Sequence, residues 1–420
     1  MKIKRKEYQK IKKHLEQPEI TLITGSRQAG KTTIIKELQG ELETKGQKTL
    51  FLNLDIESDL SLLESQEKFL FALKNQVGEL KSYIFIDEFQ RKENGGKFLK
   101  GIYDMNLPYK FIVTGSGSIE LKEQVHESLA GRKRVFQIGT LTFEEYLNFQ
   151  THYEFEDKLE AFAKIYPERI YQYLLNYITF GGYPKLAMVD RTDEKRMLLE
   201  EIYNSYLIKD ITALLNIDKT NSFQKLVENL SILEGRLVNL SKLASNIGIA
   251  TQTLEKYLWY LENTFIITIV RPFSENPLKE IHKSYTYYFN DIGLKNLISS
   301  NFNDPANRVD LGFDFQNFVF LELKDRLKDK QPLSINFWRT QDGAEVDFVV
   351  KQGKTVTGVE CKFSDFVKPE YTRSMHSFID KYKPENMFVV NKNFESIEKI
   401  KDTNIRFLPY YKISELVGLL

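Results

Sequence analysis

Between Gly25 and Thr32 the chain reads GSRQAGKT, two glycines followed by a lysine and a hydroxyl. Gly25 and Gly30 allow backbone conformations closed to other residues, so successive N–H groups can converge on phosphate oxygens at a helix N-terminus. Lys31 can reach the β- and γ-phosphates of a nucleotide, and Thr32 offers a hydroxyl to Mg²⁺. The nucleotide-contacting set is Gly25, Ser26, Arg27, Gln28, Ala29, Gly30, Lys31, Thr32 and Thr33. A second pair, Asp87 and Glu88, closes the apolar run Ser82–Ile86. Asp87 suits the metal alongside Thr32, and Glu88 suits orienting and polarising an attacking water. Asp-Glu alone also fits a helix cap; beside the glycine loop, the hydrolytic reading is preferred.

Such groups need a scaffold. Glu19–Thr24 reads as a buried strand and Thr32–Leu38 as a helix, the strand–loop–helix setting that the loop requires. Ser82–Asp87 reads as a second strand, and parallel α/β sheets present functional groups at such carboxyl ends. A third, Tyr109–Thr114, runs into Gly115-Ser116-Gly117-Ser118, where Thr114 or Ser116 could touch a γ-phosphate and report its loss; a plain Ser/Gly turn fits equally. Thr49–Asp55 supplies a sheet edge.

The order GSRQAGKT, YIFIDEFQ, FIVTGSGS and SLAGR resembles the AAA+ ATPase domain that opens a large bacterial and archaeal family of predicted ATPases with a DUF4143 C-terminal region. The resemblance extends along nearly the whole chain. It implies ATP as the nucleotide, since no N-K-x-D base-recognition motif is present. It also implies an arginine that completes the site, often from a neighbouring subunit of a homo-oligomer, by stabilising charge on the transferring phosphoryl group. Arg132 is the first candidate, then Arg134, then Arg27; each also fits as a surface arginine.

From Leu141 to about Asp218 the pattern is helical and aromatic, opening on a capping box of Thr142 and Glu145. It is broken by Phe180-Gly181-Gly182-Tyr183-Pro184, which looks like the family's GG-aromatic-Pro turn. This stretch reads as a helical lid over the nucleotide. A helix over 223–233, the segment Ser241–Ile247, a Gly248-Ile249-Ala250 turn and a helix over 251–262 resemble a winged helix-turn-helix. Its second helix, with Gln252, Thr253, Glu255 and Lys256 outward, would read DNA if DNA is bound, but holds little positive charge.

In the last third, a helix over 313–327 leads into three strands, with Phe337-Trp338-Arg339 opening the first. Ala344–Val350 forms the second and Thr357–Lys362 the third. Asp347 on one strand and Glu360-x-Lys362 on its neighbour resemble the PD-(D/E)XK nuclease core, whose chemistry needs two carboxylates for Mg²⁺ and a lysine near the attacking water. Asp347, Glu360 and Lys362 are the candidate nuclease site. The family usually carries a glutamate-asparagine pair in the preceding helix, whereas this chain has Gln316-Asn317, so a helix-borne acid would be Glu322 or absent. Cys361 is expected on the opposite face, as a buried hydrophobe.

The expected architecture is α/β. A P-loop AAA+ parallel-sheet domain (1–140) is followed by a helical lid (141–220), a winged helix-turn-helix (221–275) and a nuclease-like α/β domain of DUF4143 type (276–420). With 59 basic and 58 acidic side chains, the net charge of +1 gives no global attraction to nucleic acid or anionic membrane. DNA binding would need a local patch, and a protein partner is the other option. A single cysteine fits a reducing, cytoplasmic setting and excludes an internal disulfide. The basic N-terminus reads as an amphipathic helix with Ile3, Tyr8, Ile11 and Leu15 inward.

Overall fold

The computed structural model describes residues 2–115, 129–156, 158–211, 220–274, 284–303, 305, 308–330 and 333–420. The chain divides into two compact units, one of Met1–Leu141 with Trp259–Ile266, the other of Thr142–Leu258 with Ile267–Leu420.

The first unit is a parallel sheet of β1 (Ile20–Gly25), β2 (Lys48–Asn53), β3 (Ser82–Asp87), β4 (Tyr109–Thr114) and β5 (Lys133–Ile138), in the order β2-β3-β4-β1-β5. Every residue of β1, β3 and β4 is buried, as expected of central parallel strands covered on both faces. One face packs Leu22, Ile84, Ile86 and Val113 against Phe69, Phe89 and Leu99. The other packs Ile23, Phe85 and Ile112 against Ile34, Ile35 and Leu38 of the helix Lys31–Thr44, against Tyr8 and Ile11 of the helix Lys6–His14 and against Leu15 just after it. Each such side chain contributes on the order of 1.5–3 kcal/mol by leaving water. The strand β5 was not expected from the sequence. It is an edge with Arg134, Val135 and Gln137 exposed, so its apolar content is too low to stand out.

In the second unit, the helix Phe143–Gln150 starts on the expected capping box: Thr142 Oγ1 accepts from Glu145 N, and Glu145 accepts from Thr142 N. The helix Pro167–Phe180 stops at Gly181, whose φ of 77° is costly for any other residue. Helices Thr220–Ile232, Leu240–Ile247 and Thr251–Asn263 follow, the last two joined through left-handed Gly248 and the last counted with this unit only as far as Leu258. Strands β6 (Val238–Asn239), β7 (Ile267–Val270) and β8 (Ser284–Phe289) form a small antiparallel sheet in the order β6-β8-β7.

The helix Leu311–Leu327 then packs near a six-stranded mixed sheet of β9 (Leu333–Arg339), β10 (Glu345–Gln352), β11 (Thr355–Cys361), β12 (Asn386–Asn391), β13 (Ser396–Ile400) and β14 (Thr403–Pro409). Phe337-Trp338-Arg339 ends the first of these strands rather than opening it, because the less apolar Leu333–Asn336 already pairs with β10. Among the described residues no helix is long and apolar enough to cross a membrane.

Candidate active site

The loop between β1 and the helix Lys31–Thr44 is shaped by its glycines. Gly25 has φ 143°, and a Cβ there would lie 1.9 Å from the carbonyl oxygen of Ile138, so no larger residue fits beside the end of β5. Gly30, at φ 95°, turns the chain into the helix. Lys31 is buried, and its Nζ donates to the carbonyls of Gly25 (3.0 Å) and Ser26 (2.8 Å). Burial pulls its ammonium down to about 8, against the opposing pull of Glu88 and Asp87.

Asp87 is the centre of the polar cluster. Its Oδ2 accepts from Thr32 Oγ1 at 2.8 Å, and its Oδ1 accepts from the Thr114 hydroxyl and from Glu88 N at 3.1 Å. This follows from topology, because β4 lies between β1 and β3 and so brings Thr114 between the loop and the acidic pair. Hydroxyl and carboxylate oxygens this close are the hard donors that Mg²⁺ takes, so Thr32 and Asp87 fit a magnesium ion. Glu88 sits at φ 55°, an uncommon value for a residue with a Cβ and one found at functional turns. Phe89, fully buried behind it, anchors the turn, and the Gln90 carboxamide donates to the Glu88 carboxylate.

The other sequence candidates divide between the loop itself and the far end of the sheet. Ser116 is outside the described residues. Arg27 and Thr33 are exposed beside the loop, Gln28 sits in it at φ 60°, and Ala29 is buried. Arg132 does not reach this site within its own chain. β5 runs parallel to β1 with Lys133 opposite Ile20, Arg134 opposite Thr21 and Ile138 opposite Gly25, so Arg132 and Arg134 lie toward the far end of the sheet, about 20 Å and about 13 Å of backbone from the loop at ~3.3 Å per residue. Arg132 pairs there with Asp104 at 2.7 Å. One residue that the pattern gave no reason to single out is Arg5, whose guanidinium donates to Ala29 O (2.7 Å) and Gly139 O (2.8 Å).

In the second unit the structure gathers the other candidates. Asp347 Oδ1 accepts from Gln316 Nε2 (2.9 Å) and its Oδ2 from Cys361 N (2.7 Å), while Lys362 Nζ lies 3.0 Å from Glu360. Burial raises the Asp347 carboxyl to about 6, opposed by Lys362. Burial also raises Glu360 to about 8, with Asp347 adding to the rise. The second oxygen of Glu360 is buried, with no hydrogen-bond partner among the described residues. A cavity of about 500 Å³ reaches Asp347 and is lined by Arg236, Arg339, Glu345 and Asp347, with Arg339 paired to Glu345 at 2.9 Å. Glu322 is not part of this site: it accepts from Phe143 N (3.1 Å) and pairs with Arg326 (3.2 Å). Gln316 occupies the helix position beside Asp347, and among the described residues no three His, Cys, Asp or Glu side chains converge as a metal-holding group. Cys361 is half-buried rather than buried, because it ends its strand.

Comparison with known families places these two regions. Residues 17–147 match AAA_14, an AAA domain. Residues 171–305 match DUF8612 and residues 311–413 match DUF4143, both domains of unknown function. The chain is 26% identical over 414 residues to an uncharacterized protein of Methanocaldococcus jannaschii, covering 94% of this chain and 88% of that one. It is 24% identical to an uncharacterized protein of Mycobacterium tuberculosis, covering 88% and 75%. Among solved structures, AMPPCP-bound DnaA from Aquifex aeolicus is similar at 15% identity, covering 62% of this chain and 88% of that one with a TM-score of 0.28.

Proposed function

We propose that this protein is a Mg²⁺-dependent ATPase that couples nucleotide binding and hydrolysis to a conformational change. The observation that carries the reading is the convergence of Thr32 and Thr114 on Asp87, beside Lys31 and Glu88. Loop N–H groups from Gly25 to Thr32 cradle the phosphates, and Lys31 places its charge on the β- and γ-phosphates. Thr32 and Asp87 would hold Mg²⁺, which when bound neutralises phosphate charge. Glu88 orients the attacking water, and Thr114, tied to Asp87, registers the state of the γ-phosphate. An arginine from a second copy of the chain, Arg132 foremost, completes the site in a homo-oligomer.

Within the same reading, 1–140 is the ATPase domain, 141–220 a lid, 221–275 a winged helix-turn-helix and 276–420 a nuclease-like domain, all in the cytoplasm. The helix–Gly248–helix arrangement and the strands β6–β8 support the winged helix. The partner is DNA in one version and a protein in the other. Gln316 in the place of an acid, and a cavity whose two arginines are balanced by two carboxylates, favour a domain that binds without cutting, hence the nucleotide-gated protein-binding switch.

The test is ATP turnover by the wild type and by Glu88→Gln, with and without single-stranded or duplex DNA, while DNA integrity is followed on a gel. Turnover that falls at least about a hundredfold in Glu88→Gln, with binding retained, is expected. Stimulation by DNA, with cleavage lost in Asp347→Ala, would establish an ATP-coupled nuclease instead. Absence of turnover under all conditions would overturn the ATPase assignment.

A further inference from the structure

We infer that Arg5 is a positioning residue for the nucleotide loop, a strap that holds the loop in its phosphate-binding shape by tying its apex to the end of β5. The inference rests on the ATP-binding reading of the loop and deepens it.

When backbone N–H groups of such a loop converge on an anion, the carbonyls between them point outward and need donors of their own. Ala29 is fully buried, so its carbonyl depends on a donor from the protein. Arg5 supplies that donor through Nη1 at 2.7 Å, across 24 residues of sequence. Its Nη2 donates to Gly139 O at 2.8 Å and lies 3.4 Å from Thr140 O, 134 and 135 residues away. A planar guanidinium can serve two separate carbonyls at once in a fixed geometry, which a lysine ammonium on a flexible stem does poorly.

The strap is itself anchored. Arg5 is the extended residue (φ −112°, ψ 133°) that immediately precedes the helix Lys6–His14. Tyr8, Ile11 and Leu15 fix the position of that helix by burial in the core. Tyr8 Oη also donates to Glu41 Oε1 at 2.5 Å, on the helix that follows the loop. The first residue of the loop is braced against the same segment, since Gly25 lies against the Ile138 carbonyl. The loop therefore meets Ile138 directly at its start and is linked through Arg5 to Gly139 and Thr140 from Ala29, so a shape imposed by phosphate is passed to the segment that ends this stretch of the unit. The basic N-terminus thus holds one residue whose task is local order rather than solvation.

Order of this kind acts on binding, because a loop already in its bound conformation loses less entropy when ligand arrives. The test uses the full chain with Arg5→Ala and Arg5→Lys, MgATP affinity by calorimetry, and KM and kcat from steady-state turnover. Removing the strap is expected to raise Kd and KM about tenfold, the effect of losing the hydrogen bond to the buried Ala29 carbonyl, with kcat changed less than about twofold. Arg5→Lys is expected to recover part of the affinity, and a cooperative melt checks that each variant is folded. Unchanged affinity in Arg5→Ala, or a fall in kcat at constant KM, would overturn the inference. Wild type that fails to bind MgATP would instead sink the underlying reading, with Lys31→Ala as its control.

Discussion

The cluster around Asp87 and the cluster around Asp347 both set a carboxylate on a strand near a lysine, yet they are furnished differently. Asp87 has hydroxyls on both oxygens, and its neighbour Lys31 opens the helix that follows a loop bent by two glycines of positive φ. Asp347 has its oxygens taken by a carboxamide and a backbone N–H, and the lysine beside it is paired with Glu360. The first arrangement ties its charges to hydroxyls and loop carbonyls, partners that a nucleotide and its metal can replace, while the second pairs its charges with one another and raises two carboxyls by burial. Residue types alone do not distinguish such sites; what each group is already bonded to does.

The largest effect that would break this contrast is at Lys31. Lys31→Ala is expected to raise the MgATP Kd at least about a hundredfold, as loss of a buried charge facing phosphate should, with the circular dichroism spectrum retained. Retained affinity would remove the distinction. A sharper version converts the second site toward a metal centre. Gln316→Glu places a third carboxyl beside Asp347, and calorimetry with Mn²⁺ alone, both proteins carrying Asp87→Ala to silence the first site, is expected to detect binding with Gln316→Glu and none without it. Binding without it would show that two carboxylates suffice.

The smallest effect concerns stability against pH. The Glu360 carboxyl is raised from 4.5 to about 8, so its contribution to folding is fully present below pH 4.5 and is lost as pH rises to about 8. Glu360→Gln should therefore raise the melting temperature more at pH 8.5 than at pH 5. Equal shifts at the two pH values would mean that Glu360 is ionised throughout.

Much of the first unit was legible because its signals are local. Continuous apolar runs mark the central strands, and glycine spacing with a following lysine marks the loop. The edge strand β5 was not legible, since Lys133, Arg134 and Gln137 dilute its pattern. Contacts between distant residues were invisible for the same reason: nothing near Arg5 announces Ala29 or Gly139, and nothing near Glu322 announces the backbone of Phe143. Sequence reading also treats charges as solvated, and so misses Asp314, fully buried between Lys295 and Arg308. The Gln316–Asp347 contact was foreseeable only in part, as an unusual residue at a helix position without a known neighbour.

The space beside Gly25 bears on how this chain can drift over generations. A Cβ there collides with backbone, at 1.9 Å from the Ile138 oxygen, so the position answers to assembly of the sheet as much as to phosphate. Lys31 and Glu88 carry no comparable steric demand. A copy of the gene relieved of hydrolysis could lose either and still yield a folded product, while a change at Gly25 would be eliminated with the protein itself. In a lineage decaying toward a purely binding role, Gly25 should therefore outlast the chemistry it once framed.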